Sequence, residues 1–365
     1  MFGGVYKNRR VMVTGHTGFK GSWLCLWLLK LGAKVAGYSI DVPTSPSNFE
    51  ILGLKDRIKH VNGDIGDIGS LRKAIRDFSP DIIFHLAAQS LARYSYDVPL
   101  ETFHTNMGGT VNLLECLRSS GSVKAAVIVT SDKCYQNFEL ERGYREDDVL
   151  GGEDPYSSSK ACAELATRTY MKAFFTGGDS IRIATARAGN VIGGGDWAKD
   201  RVIPDCVRAF SAGKKMIVRN PDATRPWQHV LEPLGGYLLL GEHLLRGRGK
   251  ISGEAFNFGP NSEIVKSVRE VLKLFIRHWG GGSWKYKPLN DGKKESKLLR
   301  LCCDKALERL GWSAVLNFEE SIDMTADWYK AYYGGYADMS DFSRSQIEQY
   351  IKKAIDNRAS WAKRS

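Results

Sequence analysis

The sequence predicts an α/β protein with a doubly wound parallel sheet, joined to a smaller, mixed α/β unit in its C-terminal part. Two observations predict this fold. Over residues 10–175, short apolar runs typical of buried parallel strands alternate with helical patterns. After about residue 188 the alternation weakens, and short strand and helix patterns rich in Arg and Trp follow. We therefore expect one domain over 1–187 and a second mainly over 188–365, with segments such as 225–245 returning to the first.

Composition narrows the class of protein. The 365 residues are 43% hydrophobic and 25% charged, which is typical of a soluble globular protein with a large core. No apolar run is long enough for a membrane span, and the first ten residues lack an apolar signal core, so we expect a cytoplasmic protein. Seven scattered cysteines without a C-x-x-C motif predict reduced thiols and no metal site. The net charge of +11 is spread along the chain, which argues against nucleic-acid binding and suits a phosphate-bearing substrate.

The first strand, Arg10–Thr14, runs into a glycine-rich turn and then a helix that ends at Gly32. In a G-x-x-G-x-x-G turn the backbone can approach a pyrophosphate, and the N-terminus of the following helix faces its charge. The segment predicts a dinucleotide-binding Rossmann domain. Its candidate cofactor-binding residues are Gly15, His16, Thr17, Gly18, Phe19, Lys20 and Gly21.

The second predicted strand, 34–41, ends near the position where an acidic residue commonly binds the adenosine ribose, about 20 positions past the glycines. Asp41 has the right distance, whereas Ser39 stands where the strand pattern ends, so both are candidates. No Arg follows in the next several residues, which favours NAD over NADP.

Two further predicted strands supply cofactor candidates. The third, 58–64, places Asp64 to bond the adenine amino group and Ile65 against the ring; a helix over 67–78 follows. The fourth runs from Asp81 into small residues that leave room in the crevice, and its candidates are Leu86, Ala87, Ala88 and Gln89. We expect His85 in the same apolar run to be a packed core residue.

A long amphipathic helix is predicted over 99–118, and it contains Asn106. Gly108 and Gly109 inside this helix are costly unless another element packs very close to them. A charged helix is predicted over 346–358.

The fifth strand, 125–129, runs into Ser131, Asp132 and Lys133, and a helix led by Tyr156 follows over 156–174. Tyr156 and Lys160 are four residues apart and therefore share one helix face. We expect the lysine ammonium to lower the pKa of Tyr156, so that its phenolate acts as a base, while the Ser131 hydroxyl orients the same substrate oxygen. This trio needs a hydride acceptor beside it, and the predicted dinucleotide site supplies one.

Taken together, these segments resemble the nucleotide-sugar branch of the extended short-chain dehydrogenase/reductase family. The resembling elements are 14–21, 85–89, Asn106, Ser131, Tyr156-x-x-x-Lys160 and 188–190. Within the branch, the resemblance is greatest to the CDP-glucose 4,6-dehydratase group, through segments 16–24, 131–135, 143–148, 154–160, 225–230, 310–312 and 325–329.

The resemblance implies a reaction on bound NAD, within dideoxysugar and O-antigen (lipopolysaccharide) biosynthesis. Hydride leaves C4 of the hexose while Tyr156 accepts the C4 hydroxyl proton. Water is then eliminated across C5 and C6, and hydride returns to C6 to give a 4-keto-6-deoxy sugar. The resemblance also implies a homodimer or homotetramer, with the helices at 99–118 and 156–174 as candidate contacts.

The elimination needs an acid and a base in addition to Tyr156. Related dehydratases have an Asp-Glu pair directly after the strand-end hydroxyl, where this chain has Asp132-Lys133. Asp132 fits the acid if burial raises its pKa. Lys133 could then be the base, which requires its amine to be neutral. Alternatively, Lys133 is a charge partner of the substrate or of Asp132, and another group or water is the base.

The resemblance also implies a set of substrate-binding residues. Arg201 and Arg225 suit phosphate charge, and 217–220 resembles the segment that holds the pyrimidine base. Glu295 resembles part of a His-Glu-Ala motif but follows Lys instead of His. The complete set of candidates is Gln89, Ser131, Asn190, Arg201, Val218, Arg219, Arg225 and Glu295.

Three alternative functions compete with this interpretation. Another nucleotide-sugar 4,6-dehydratase remains open, although Lys133 argues against the GDP-mannose group, which has an acidic residue there. A 4-epimerase needs no acid–base pair after Ser131, so Asp132-Lys133 argues against it. A non-enzymatic dinucleotide sensor often lacks the Tyr-Lys pair that this chain has.

Overall fold

The computed structural model of the chain describes residues 1–177, 180–260, 265–288 and 298–363. Its centre is a seven-stranded sheet in which all neighbouring strands pair in parallel. In chain order the strands are β1 (Arg10–Thr14), β2 (Lys34–Ser39), β3 (Lys59–Asn62), β4 (Ile82–His85), β5 (Ala125–Val129), β6 (Arg182–Ala188) and β11 (Ala255–Phe258). Their spatial order is β11-β6-β5-β4-β1-β2-β3, which confirms the predicted doubly wound α/β fold.

Twelve α-helices lie in the described part of the chain. They are α1 (Phe19–Lys30), α2 (Asn48–Ile51), α3 (Ile68–Phe78), α4 (Pro99–Phe103), α5 (Gly109–Arg118), α6 (Pro155–Phe174), α7 (Val202–Ser211), α8 (Leu231–Arg246), α9 (Val268–Trp279), α10 (Asp304–Leu310), α11 (Phe318–Tyr333) and α12 (Met339–Asp356). The final helix therefore begins seven residues before its predicted start at 346.

Both faces of the sheet are covered, because alternate residues of the same strand join different apolar cores. On β1, Val11 and Val13 belong to the core that includes α1, α8 and α12, whereas Met12 belongs to the core that includes α3 and α5. Helix α8 lies on β5 and β6, and β11 extends the sheet, although both follow residue 188. The division of the chain near residue 187 stays a prediction.

Three two-stranded sheets follow the carboxyl end of β6. They pair β7 (Val191–Ile192) with β10 (Gln228–His229), β8 (Met216–Val218) with β13 (Trp284–Tyr286), and β9 (Thr224–Arg225) with β12 (Lys266–Ser267). Together with α7 and α9 they form a mixed layer beside the edge of the main sheet where the predicted site residues lie.

The helix predicted over 99–118 is confirmed in its extent, but it is not α-helical throughout. A π-helical turn, His104–Gly108, separates α4 from α5. Packing is close at the end of this turn, since a Cβ on Gly109 would lie 2.6 Å from Ile65 Cγ2. The turn buries Asn106, whose amide donates to the Gln89 carbonyl (3.0 Å) and to Ser159 Oγ (2.9 Å). The predicted close approach at the paired glycines is thus confirmed at Gly109.

Other predictions concern cysteines and membranes. All seven cysteines are free, as predicted. Across the described ranges, no helix combines the length and the apolar character that a bilayer span requires. The same residues hold no cluster of three or more His, Cys, Asp or Glu side chains placed to bind a metal ion.

Candidate active site

A cavity of about 1680 Å³ opens at the carboxyl ends of the central strands, between the main sheet and the mixed layer. Most of the sequence-predicted site residues line it. They are Gly15, Thr17, Gly18, Phe19, Lys20, Gly21, Ser39, Asp41, Asp64, Ile65, Leu86, Ala87, Ala88, Gln89, Ser131, Asp132, Lys133, Tyr156, Lys160, Asn190, Arg201, Val218, Arg219 and Arg225. His16 and Asn106 do not line the cavity, and Glu295 lies outside the described residues.

The glycine turn after β1 leaves no room for side chains. Gly15 has φ +73°, and a Cβ there would lie 2.7 Å from the Ala87 backbone nitrogen. A Cβ on Gly21 would lie 2.2 Å from the Gly15 carbonyl oxygen. Helix α1 begins directly after Gly18 and points its first backbone amides toward the cavity. Such a turn admits a phosphate close to the backbone.

His16 supports this turn from behind. Its ring is buried, and its Nε2 lies 2.7 Å from His60 Nδ1. The ring fills the space that a side chain on Gly37 would need, since a Cβ there would lie 2.1 Å from it. Burial, with His60 nearby, lowers the pKa of His16 to about 4, so the imidazole is neutral. Its side chain is therefore a packing element of the predicted cofactor site.

Both candidates for the ribose contact line the cavity, but their surroundings differ. Strand β2 ends at Ser39, whose hydroxyl is buried and finds no hydrogen-bond partner within the described ranges. Asp41 lies two residues further on and is exposed, and its carbonyl accepts from Thr17 Oγ1 (2.5 Å). The strand-terminal place therefore belongs to Ser39.

His85 is a packed core residue, as predicted. Its ring nitrogens contact Thr14 Oγ1 (2.7 Å) and Thr110 Oγ1 (3.3 Å). Burial, with some help from Lys160, lowers the pKa of His85 to about 3. The neutral ring ties β4 to β1 and to α5.

Ser131 and Asp132 form a local turn at the end of β5. Ser131 caps a short 3₁₀ helix, Asp132–Cys134, by accepting from the Lys133 backbone N–H (3.2 Å), and it donates to Asp132 Oδ1 (3.0 Å). Asp132 Oδ2 is buried without a hydrogen-bond partner among the residues described. It lies so near Gly189 that a Cβ there would be 3.0 Å away.

Burial raises the pKa of Asp132, as the sequence predicts for an acid, although Lys133, Ser131 and Lys20 act in the opposite direction. A carboxyl group in this setting can carry a proton that an exposed aspartate would lose.

Tyr156 and Lys160 are positioned by the start of α6. Asp154 caps this helix by accepting from the Ser157 backbone N–H (2.9 Å), and Pro155 occupies the first helical position. Tyr156 thus stands in the first turn and Lys160 one turn later, and both line the cavity.

The expected lowering of the Tyr156 pKa is wrong for the chain by itself. Burial raises the pKa of Tyr156 to about 12, and the Ser131 hydroxyl only partly offsets this. Burial also lowers the pKa of Lys160 to about 8. Helix spacing correctly places the two groups together, but it does not report the desolvation that penalises both charged forms.

A buried ion pair that the sequence analysis missed lies beneath these residues. Glu164, one helical turn after Lys160, accepts from Arg187 Nη2 (2.9 Å), Thr130 Oγ1 (2.5 Å) and Thr185 Oγ1 (2.8 Å). Only 3% of the Arg187 side chain and 4% of the Glu164 side chain are exposed. The pair joins α6, β6 and the residue before Ser131. Two sequence signals could have revealed this ion pair: an acidic residue four positions after Lys160, and an Arg in an apolar strand.

The opposite wall of the cavity is cationic. Arg201 donates to Asp196 Oδ2 (2.7 Å), and this buried carboxylate raises the pKa of Arg201 against the effect of burial. Tyr329 holds the segment in place by accepting from the Asp196 backbone N–H (3.0 Å). Arg225 donates to the Thr224 carbonyl (2.7 Å) and lines the same cavity. Asp196 was also missed, although it directly follows the glycine-rich loop.

The family model of GDP-mannose 4,6 dehydratase matches residues 12–325. The chain belongs to this family. Among curated relatives, the CDP-glucose 4,6-dehydratase of Salmonella typhimurium is 47% identical over 354 residues, which are 95% of this chain and 97% of the relative. A dTDP-glucose 4,6-dehydratase of Xanthomonas campestris is 25% identical over 345 residues, covering 87% of this chain and 92% of the relative.

Solved structures agree with the family assignment. The dTDP-glucose 4,6-dehydratase of Streptomyces venezuelae with NAD bound superposes with a TM-score of 0.76 at 25% identity, covering 90% of this chain and 99% of that one. A UDP-glucose 4-epimerase of Thermotoga maritima gives 0.77 at 21% identity, over 88% and 99% of the two chains. Because a dehydratase and an epimerase both share this fold, fold alone does not separate their reactions.

Proposed function

We propose that the chain is a CDP-glucose 4,6-dehydratase, a lyase that converts CDP-D-glucose to CDP-4-keto-6-deoxy-D-glucose and water with bound NAD. One observation carries the proposal: the curated CDP-glucose 4,6-dehydratase is 47% identical over 95% of this chain. The cavity supports it, because Ser131, Asp132, Lys133, Tyr156 and Lys160 all line the same space.

The residues present fit NAD. A side chain at Gly15 would collide with the Leu86–Ala87 backbone and one at Gly21 with the backbone of the glycine turn, and the first turn of α1 offers backbone N–H groups to a pyrophosphate. The buried hydroxyl of Ser39 is free to bond a ribose. We propose that the segments 15–21, 39–41, 64–65 and 86–89 hold the dinucleotide, with Asn106 and His16 supporting them. When bound, NAD supplies the acceptor and later the donor of the hydride.

We propose a role in the reaction for each of these residues, supported by its place in the cavity. Tyr156 takes the proton of the C4 hydroxyl, and Lys160, one turn along α6, offsets the charge of the phenolate. Asp132, whose pKa is raised by burial, donates its proton to the leaving C6 hydroxyl through the unpartnered Oδ2. We propose Lys133 as the base at C5, since it adjoins the acid and lines the cavity. Lys133 could instead be a charge partner of the substrate or of Asp132. Exchange of the C5 proton with solvent distinguishes the two roles, because only a base at C5 removes that proton.

Substrate contacts are proposed on the cationic wall. Arg201 and Arg225 take the diphosphate, because guanidinium groups match phosphate oxygens. Asn190 and Gln89 contact the sugar diphosphate, and the segment with Val218 and Arg219 holds the pyrimidine. The second unit, mainly 188–365, thus carries most of the nucleotide-sugar contacts.

We further propose a cytoplasmic homodimer or homotetramer. Its support is a set of large apolar side chains exposed on α4, the π turn and α6: Leu100, Met107, Leu165 and Phe174. These residues belong to the two helical segments named as candidate contacts. Sedimentation of wild type and of Leu165→Lys tests the state, since a charged residue in the contact would favour the monomer.

The function is tested by offering the protein four substrates separately: CDP-glucose, dTDP-glucose, UDP-glucose and GDP-mannose. The 4-keto product is followed by its absorbance in base. The proposal requires CDP-glucose to give the highest kcat/KM. Turnover of a purine-linked sugar alone would refute it.

A further inference from the structure

Three charged side chains from separate segments meet at the mouth of the cavity. Arg93 follows β4, Asp200 precedes α7 and Arg219 follows β8, and all three line the cavity. Arg219 donates to Asp200 Oδ1, and its Nη2 lies 3.4 Å from the Asp200 carbonyl oxygen. Arg93 Nε lies 3.9 Å from the same Oδ1. The Asp200 carboxylate therefore lies within ion-pair distance of two guanidinium groups.

The backbone holds Asp200 in an unusual conformation. Its φ is +63°, in the left-handed region that non-glycine residues seldom adopt. The residues before it are fixed, because Ala198 N–H donates to Asp196 Oδ1 (3.0 Å) and Arg208 donates to the Trp197 carbonyl (2.7 Å). Such a conformation persists where the surroundings enforce it, and these positions gather at ligand sites.

The Asp200 carboxylate is nevertheless easy to displace. Its side chain is 47% exposed, whereas the Asp196 carboxylate that holds Arg201 is 5% exposed. An exposed ion pair contributes little free energy because water screens it and both side chains lose freedom. A diphosphate carries more charge than one carboxylate and can bond both guanidinium groups at once.

We propose that Asp200 is an electrostatic placeholder: it holds Arg93 and Arg219 at the cavity mouth and yields both to the diphosphate of the incoming nucleotide sugar. The inference rests on the proposed function and deepens it. It adds Arg93 to the substrate-binding residues, directs the Arg219 guanidinium to the diphosphate while the rest of its segment holds the pyrimidine, and makes Asp200 a positioning residue that competes with substrate. Removal of its charge therefore strengthens binding of the diphosphate.

Calorimetric titration of the NAD-loaded protein tests this with CDP and, as a probe without phosphates, cytidine. The variant is Asp200→Asn. The matched control is Asp222→Asn, which makes the same charge change in an exposed pair with Arg269 (3.0 Å), neither of which lines the cavity. We expect Asp200→Asn to bind CDP two- to fivefold more tightly, the range of an exposed ion pair. Cytidine binding and the control should be unchanged.

Two further variants keep the test decisive. Asp200→Glu keeps the charge and should bind CDP like wild type, and Arg93→Gln combined with Asp200→Asn should cancel the gain. Equal or weaker CDP binding by Asp200→Asn overturns the inference, as does an equal gain for cytidine. If the wild type itself does not bind CDP, the proposed substrate is wrong, and that result is distinct from a failure of the Asp200 inference.

Discussion

Replacement of Glu164 by Gln removes one charge from beneath the proposed catalytic residues while keeping the shape of the side chain. The carboxylate accepts three hydrogen bonds, from Arg187, Thr130 and Thr185. Although burial raises the pKa of Glu164, Arg187 and these bonds hold it below its ordinary value, so the group is ionised. The substitution leaves the Arg187 guanidinium buried without its counter-charge.

The magnitude follows from burial. Because only 3% of the Arg187 side chain is exposed, solvent screens its unpaired charge poorly. Breaking a buried pair by removal of one partner costs about 3–5 kcal/mol of the free energy of unfolding. Thr130 directly precedes Ser131, so we also expect turnover to fall as the strand end shifts.

Urea unfolding measures the first effect. The matched control is Glu348→Gln, which removes a carboxylate from an exposed pair with Lys30; the Glu348 side chain is 62% exposed. We expect the control to lose at most about 1 kcal/mol. If Glu164→Gln also lowers the free energy of unfolding by less than about 1 kcal/mol, the Glu164 charge does not stabilise the buried pair, and the reasoning fails.

Three other predictions concern single side chains. Tyr156→Phe should lower turnover by at least about 10²-fold while NAD still copurifies, as the absorbance of the purified protein shows; near-normal activity would contradict the role of the phenol. Lys133→Met should stop exchange of the C5 proton with solvent after C4 oxidation, measured by NMR in deuterium oxide; continued exchange would place the base elsewhere. Burial raises the pKa of Glu232 to about 7, so its contribution to stability is complete below about pH 4.5 and is lost as pH rises through 7. Urea unfolding should show wild type losing on the order of 3 kcal/mol relative to Glu232→Gln between pH 4.5 and pH 8.5, and parallel profiles would contradict this.

Features with a local signal could be predicted from the sequence. The parallel strands appear as apolar runs, the turn at Gly15 as glycine spacing, and the Tyr156–Lys160 pair as helical periodicity. The His85 ring is a core residue for the same reason, since it lies inside a buried run. The raised pKa of Asp132 could also be predicted, because this residue lies three positions after the end of a buried strand.

Features that depend on tertiary packing could not be predicted. The π turn lies directly before Gly109, which packs against Ile65, more than 40 residues away in sequence. The pairing of Asp200 with Arg93 joins loops from opposite sides of the cavity. The pKa of Tyr156 depends on how completely the fold removes water, which helix spacing does not reveal.

The fate of the C4 hydrogen tests the central claim most directly. CDP-glucose labelled with deuterium at C4 is converted by the protein, and the product is analysed by NMR and mass spectrometry. Oxidation at C4, elimination and hydride return predict a 4-keto-6-deoxy product with the deuterium at C6. A product that keeps the deuterium at C4 with inverted configuration, as an epimerase would form, or one that carries none at C6 would contradict the account.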